Sequence, residues 1–203
     1  MLQTNAQIRG MTEQINTTLH GYLDQQLLIA MPSMLDPNFE RSVTLLCQHS
    51  EEGAIGITIN RLSRFSLGEI FAQLDIPCAD EQLNTRAVLE GGPVSVDRGF
   101  VVHTPMEGYE SSLQLNDDIM VTTSRDILAA IAEGNGPERF VVALGYAGWG
   151  DGQLESEMRE NAWLSAPLDT AIVFDLPLRD RWQRAVAQLG VGVVNLHGAS
   201  GHA

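Results

Sequence analysis

The chain contains no lysine: its 12 basic residues are all arginine, set against 26 acidic ones. A Schiff-base amine, the P-loop lysine that reaches nucleotide phosphates and a lysine general base all need an amine that this sequence does not supply. Cysteine is almost as scarce. Cys47 and Cys78 are the only two in 203 residues, and no C-x-x-C pair exists, which excludes a zinc knuckle or a dithiol redox motif. Both are expected as free, buried thiols in a reducing compartment. Positive charge is short overall. The net charge of -14 disfavours direct binding to DNA or RNA, since non-specific affinity comes from cations that displace counterions from phosphates. From Pro105 to Glu160 there are eleven acidic residues and only Arg125, Arg139 and Arg159.

Long apolar runs are missing as well. No stretch approaches the ~20 residues of a membrane span, and the opening MLQTNAQIRGMTEQ has no hydrophobic signal core. No membrane partner is expected, and the location is expected to be cytoplasmic. Also absent are the G-x-S-x-G elbow, the H-E-x-x-H helix and the D-x-[DN]-x-[DN]-G calcium loop. No cofactor and no metal site are expected.

What is present is the composition of a folded protein, 44% hydrophobic and 19% charged. Residues 1–20, with a second possible start at Met11, read as a flexible leader. Residues 21–190 read as one domain, and residues 191–203, which include His197 and His202, as a glycine-rich tail. Short apolar runs predict strands at Leu27–Met31, Ser42–Cys47, Ala54–Asn60, Ala87–Glu90, Gly99–His103, Ile119–Thr122, Phe140–Gly145 and Thr170–Phe174. The alternation from Gly56 to Asn60 predicts one covered and one wetter face, and the unbroken run Phe140–Leu144 predicts a central strand.

Four helices carry punctuation. Ser66 and Glu69 can form a capping box for a helix to about Leu74, and Thr123 with Asp126 can do the same before Ile127, with a stop at Gly134. A third helix is predicted over Gly152–Leu164, with Leu154 and Met158 on one face and a Glu155–Arg159 pair. The fourth follows Pro177 and ends at Gly190. Strands come in neighbouring groups, so the expected fold is α+β: a single domain on a large mixed β-sheet, partly barrel-like, with about four helices.

Candidate chemistry gathers at a few turns. Gly145-Tyr-Ala-Gly-Trp-Gly150 follows a strand and is expected to open a helix. Its free N–H groups could cradle an anion, or its glycines could simply permit a tight turn while Tyr146 and Trp149 pack on the sheet. Asp151 and Glu155 sit where a phosphate would want positive charge. Glu90-Gly-Gly-Pro93 reverses the chain before Arg98 and His103. His103 is a general base, a ligand or a structural histidine, and Arg98 binds an external anion or pairs with an internal carboxylate. Cys47 and His49, two apart on one strand, would share a face, as an activated thiolate or as a buried neighbour pair.

Leu27-Leu-Ile-Ala-Met-Pro32, Asp36-Pro-Asn-Phe-Glu-Arg-Ser-Val43, Gly53-Ala-Ile-Gly56 with Asn60-Arg61, Glu90-Gly-Gly-Pro-Val94 with Arg98-Gly-Phe100, Thr122-Thr-Ser-Arg-Asp-Ile-Leu128 and Gly145-Tyr-Ala-Gly-Trp-Gly-Asp-Gly-Gln-Leu-Glu155 together resemble the AlgH/YqgE family of bacterial proteins. The six blocks stand in the family's order, although Leu62 replaces the proline often found after the Asn-Arg pair. The resemblance implies an α+β fold on a large mixed sheet and a name tied to regulation of alginate, with no catalytic residue to carry over. The expected function is a non-enzymatic binding or regulatory protein, with Asn60, Arg61, Arg98, His103, Tyr146 and Trp149 as the candidate binding surface for a protein or small-molecule partner. The alternative is a small hydrolase or transferase using His103 or Cys47 and His49 near Arg98.

Overall fold

A computed structural model describes Leu23 and residues 25–190. The expected leader, the start at Met11 and the tail with its two histidines lie outside the described residues. Ten strands form one sheet: β1 (Gln26–Ala30), β2 (Val43–Ser50), β3 (Gly53–Thr58), β4 (Leu62–Ser66), β5 (Ala87–Glu90), β6 (Val94–His103), β7 (Ser112–Gln114), β8 (Met120–Thr122), β9 (Phe140–Trp149) and β10 (Trp163–Pro167). The main path runs β10-β1-β2-β3-β9-β6-β8-β7, and β4 and β5 branch from β9. Only the β5–β9 pairing is parallel, so the sheet is mixed as expected. The apolar run Phe140–Leu144 is indeed central, for β9 pairs with β3, β5 and β6.

Helices α1 (Leu67–Gln73), α2 (Glu81–Asn84), α3 (Arg125–Ala132), α4 (Gln153–Arg159), α5 (Thr170–Phe174) and α6 (Leu178–Gln188) pack on both faces. One cluster, from Leu27 and Ile29 through Phe100 and Val102 to Trp182 and Val186, lines a single face of the sheet under α5 and α6. The opposite face carries two separate clusters, one under α1 and α3 around Phe71, Val101 and Ile127, the other under α4 around Leu28, Trp149 and Trp163. A continuous core inside and two separated ones outside is what a curled sheet produces. Arg181 fastens α6 to the sheet from within: only 4% exposed, it donates to the carbonyls of Leu176 at 3.1 Å and Ile59 at 2.6 Å. Burial lowers its pKa to about 10, against an opposing pull from Asp175.

Several expectations need correction. Thr170–Phe174 is helix α5, not a strand. Its residues are β-branched and apolar, but Asp169 caps Ala171 at 2.9 Å, and adjacent Ile172 and Val173 are both fully buried, as a helical turn allows. The third helix stops at Arg159. Asn161 enters the left-handed region (φ 57°), and Trp163–Pro167 leaves as β10 beside β1. The capping box at Ser66 forms with both of its bonds, whereas the one at Thr123 does not. There the cap is Ser124, whose hydroxyl bonds Asp126 instead. The wetter face read from Gly56–Asn60 is also absent: Thr58 is 1% exposed and shares a 3.0 Å hydroxyl bond with Thr44. Arg159 donates to the backbone carbonyl of Glu155 at 3.2 Å, while the Glu155 carboxylate turns to His49.

Candidate functional site

Strand β9 locates several of the candidates. Near its middle, Leu144 lies opposite Glu90 of β5 on one side and Gly99 of β6 on the other. Those two neighbours are therefore two strand spacings apart, roughly 10 Å. Arg61 reaches in from the β5 side, where its carbonyl accepts from the Glu90 amide at 2.9 Å and its guanidinium lies 3.8 Å from the Glu90 carboxylate. Tyr146 and Arg98 come from β9 and β6. Arg98 and Tyr146 thus share the face of the sheet that carries Phe100, whereas Glu90 alternates with Leu89 onto the opposite face and takes the Arg61 guanidinium there, with Asn60 next to it in sequence.

The β6 side of this stretch is irregular. Val94 pairs with Tyr146 and Gly99 with Leu144, so five steps along β6 oppose two along β9. Ser95–Arg98 therefore bulge out of the ladder, Ser95 with φ 46°. The bulge wraps Gly145 (φ 72°), where a Cβ would lie 2.4 Å from the Gly92 carbonyl oxygen. Only glycine fits there. The result is a rim on which Val94 is 37% and Val96 62% exposed. Arg98 lies 5.4 Å above the Phe100 ring, and Phe100 meets Tyr146 edge-on at 5.9 Å. The internal carboxylate expected for Arg98 is not there: among the described residues it takes part in no ion pair.

Other candidates go elsewhere. Asn60 is structural, its side chain accepting from the Val43 amide and donating to the Arg41 carbonyl, both at 2.8 Å. His103 lies opposite Phe140, the first residue of β9, and is fully buried. Its Nδ1 donates to the Thr104 carbonyl and its Nε2 meets the Thr122 hydroxyl, each at 2.8 Å. Burial pushes its pKa below the ordinary value, and the Thr104 bond opposes the shift. Trp149 ends β9, nine residues and so roughly 30 Å from Phe140. It is 6% exposed within the core under α4.

The segment Gly145–Trp149 is thus strand rather than an anion-cradling loop before a helix, since Ala147, Gly148 and Trp149 are in register with β3. Trp149 meets a residue that sequence reading missed. One oxygen of Glu157 accepts from both Trp149 Nε1 at 2.9 Å and Trp163 Nε1 at 2.8 Å, while the other accepts from Gln153 at 2.8 Å. Two indoles on different strands converging on one helical glutamate leave no spacing signal.

Cys47 and His49 do not share a face. The β2–β3 register shifts between Leu46 and Gln48, and this bulge sends Cys47 to the core under α6 and His49 to α4. Burial pushes the Cys47 thiol up to about 12. His49 takes the Leu23 amide on Nδ1 at 3.0 Å and bonds Glu155 through Nε2 at 2.8 Å. Glu155 is held below its ordinary value first by a backbone hydrogen bond at its own amide, then, against burial, by His49 and Arg159. Both cysteines are free.

A shallow, open depression of about 450 Å³ lies on α1 and α2, with Ser66, Glu69, Phe71 and Cys78 in its lining, and none of the six candidates reaches it. Among the described residues no group of three or more His, Cys, Asp or Glu could hold a metal ion, and no helix is long and apolar enough to cross a membrane.

Comparison with known proteins agrees with the fold and with the family resemblance. The chain is 52% identical over 180 residues to the UPF0301 protein Smlt1098 of Stenotrophomonas maltophilia, covering 89% of this chain and 96% of that one. It is 51% identical over 181 residues to the UPF0301 protein XCC2748 of Xanthomonas campestris, with the same coverage. The solution structure of the AlgH protein from Pseudomonas aeruginosa superposes with a TM-score of 0.76 at 45% identity, covering 93% of this chain and all of that one. Protein DIP2367 of Corynebacterium diphtheriae shares the fold at a TM-score of 0.62 and 23% identity, covering 83% and 87% of the two chains. The AlgH-like family model matches residues 27–194, and the chain belongs to that family.

Proposed function

We propose that this chain is a non-enzymatic binding protein whose working surface is the rim formed by Val94–Arg98 and Tyr146. The observation that carries the reading is Arg98: a guanidinium stacked on an aromatic ring, in no ion pair among the described residues, in a chain of net charge -14. Such a group offers a planar, bidentate anchor for a carboxylate or phosphate. Exposed Val94 and Val96 beside it supply apolar contact. The partner is therefore a protein segment or small molecule that carries an anionic group next to an apolar one. Any regulatory role, including one tied to alginate, would act through this contact, because the acidic surface opposes direct nucleic-acid binding.

The enzymatic alternative draws less support. Its thiol and imidazole lie on opposite faces of β2, and both nitrogens of His103 are engaged inside the fold. The test places a photo-crosslinking amino acid at position 96 in cells of the source organism. A specific adduct that weakens in Arg98→Lys, which keeps the charge but not the planar fork, and disappears in Arg98→Glu is expected, with unchanged melting of both variants. An adduct no stronger than one from Gln73, on the far helix α1, would remove this surface. A hydrolase or transferase activity in the purified chain that vanishes in His103→Ala would replace the reading with the enzymatic one.

A further inference from the structure

His103 ends a hydrogen-bonded row that runs to the surface. The Thr104 carbonyl can only accept, so His103 Nδ1 carries the proton and, in the neutral ring, Nε2 is the acceptor. The Thr122 hydroxyl must then donate to Nε2 at 2.8 Å, and the Ser112 hydroxyl must donate to Thr122 at 2.7 Å. His103 and Thr122 are fully buried, whereas Ser112 is partly exposed. Over this row lies the irregular segment from Thr104 to Ser111. The ring of Tyr109 packs on His103 at 5.9 Å and 89°. The segment is also tied to α3 by the Glu110 amide on Asp126 at 2.9 Å and the Ser111 amide on Ser124 at 3.3 Å.

We propose that Ser112, Thr122 and His103 form a proton relay that makes the Thr104–Ser111 segment an acid-sensitive latch, closed while His103 is neutral and loosened when it is protonated. The row can reverse with every hydrogen-bonded contact kept, because each O–H bond that breaks is matched by one that forms. A proton from a solvent hydronium, which is left as water, arrives at Ser112 Oγ, Ser112 passes its own to Thr122, and Thr122 passes its own to Nε2. Afterwards Nε2 donates to Thr122, Thr122 to Ser112 and Ser112 to solvent. The imidazolium left behind is buried beneath the Tyr109 ring, and the route to hydrating it is displacement of the segment above.

Of the ionisable groups on the elements around His103, the carboxylates of Glu107, Glu110 and Glu138 are exposed, and the others are committed. Tyr109 bonds Met106 at 3.3 Å, and burial together with Asp126 raises its pKa. Asp126 takes the Glu110 and Ile127 amides. Arg86 donates to the Phe140 carbonyl and covers that ring, and Arg139 pairs with Asp175 at 2.6 Å. None is bonded to the imidazole. Because the folded pKa of His103 is depressed, the latch is fully closed above the unfolded value of about 6.5 and gives way as pH falls through the folded one.

The experiment follows the His103 ring nitrogens by NMR and the amide exchange of residues 104–114 by mass spectrometry, on the full chain between about pH 7.5 and pH 5. The expected result is an Nδ1–H tautomer at neutral pH and a titration below 6.5. Amide exchange, corrected for its intrinsic pH dependence, should speed up at least tenfold with the same midpoint in the wild type and stay flat in His103→Gln. Thr122→Val should keep the fold and shift the titration, and this second variant decides the matter if His103→Gln does not fold. A ring that stays neutral to about pH 5, or loosening that persists in His103→Gln, would overturn the proposal.

Discussion

Replacing Glu157 by alanine should be among the most damaging changes at any partly exposed position, for a reason visible only in three dimensions. Its carboxylate holds Trp149, Trp163 and Gln153 at once. Hydrogen bonds to a charged acceptor contribute ~1.5–3 kcal/mol each. The Gln153 amide is exposed and can turn to water, so it adds almost nothing. The two indole N–H groups sit over the core under α4 and lose an acceptor that water replaces poorly. Because Glu157 is itself half-buried, the lower end of the range applies, and the two bonds together give about 3 kcal/mol. In a domain of this size that lowers the melting temperature by roughly 6–12 °C.

Glu157→Gln keeps an oxygen facing both indoles but loses the charge and the acceptor for Gln153, whose exposed amide can turn to water, so it should cost about 1 kcal/mol. Urea unfolding followed by far-UV circular dichroism measures both variants, with tryptophan fluorescence as a local report. A Glu157→Ala variant within 1 kcal/mol of the wild type would refute the reasoning, and so would a glutamine variant as unstable as the alanine one.

Cys47, pushed up to about 12 by burial, should react with iodoacetamide at neutral pH at least ~10-fold more slowly than Cys78, and the difference should vanish in denaturant; mass spectrometry of timed quenches reads it. Arg181→Met keeps the aliphatic stem but leaves the Leu176 and Ile59 carbonyls without their partner, and should cost ~2–5 kcal/mol in denaturant unfolding. Gly145→Ala, with φ 72° and a Cβ 2.4 Å from the Gly92 oxygen, should lose more than ~2 kcal/mol or fail to accumulate in soluble form, whereas Gly150→Ala, whose nearest neighbour would be 3.9 Å away, should stay within ~0.5 kcal/mol.

Local rules in the sequence predict much of this fold where one residue type controls one local event. The serine and glutamate at 66 and 69 form their capping box, Gly134 and Gly190 follow helix ends in left-handed geometry, and the apolar run at 140–144 is the central strand. The failures share a cause. At 170–174 tertiary burial of two adjacent side chains overrides β propensity, and at 161–167 a left-handed asparagine turns an expected helix into an edge strand. Strands β4 and β7 were not foreseen: Leu62–Ser66 is mostly polar, and Ser112–Gln114 is three residues long, so neither has a pattern to read until β5 and β8 supply partners. For the candidate site, the glycine pair at 91–92 marks where Arg98 and Tyr146 are brought together. The bulge at Cys47 cannot be read from residue types, because register is decided by pairing.

The geometry of β9 also decides whether the proposals stand together. His103 faces its first residue, the Arg98 rim its middle and Glu157 its last, so the outer two are separated by nine steps, roughly 30 Å. Sites that far apart with no shared partner should contribute additively, within about 0.5 kcal/mol. The double variant Glu157→Ala, His103→Gln should therefore lose the sum of the two single losses, and His103 should titrate unchanged in Glu157→Ala. A coupling above about 1 kcal/mol would require β9 to have two arrangements biased from both ends. The Arg98 rim, which lies between them on the strand's kink at Gly145, would then respond to acid as well.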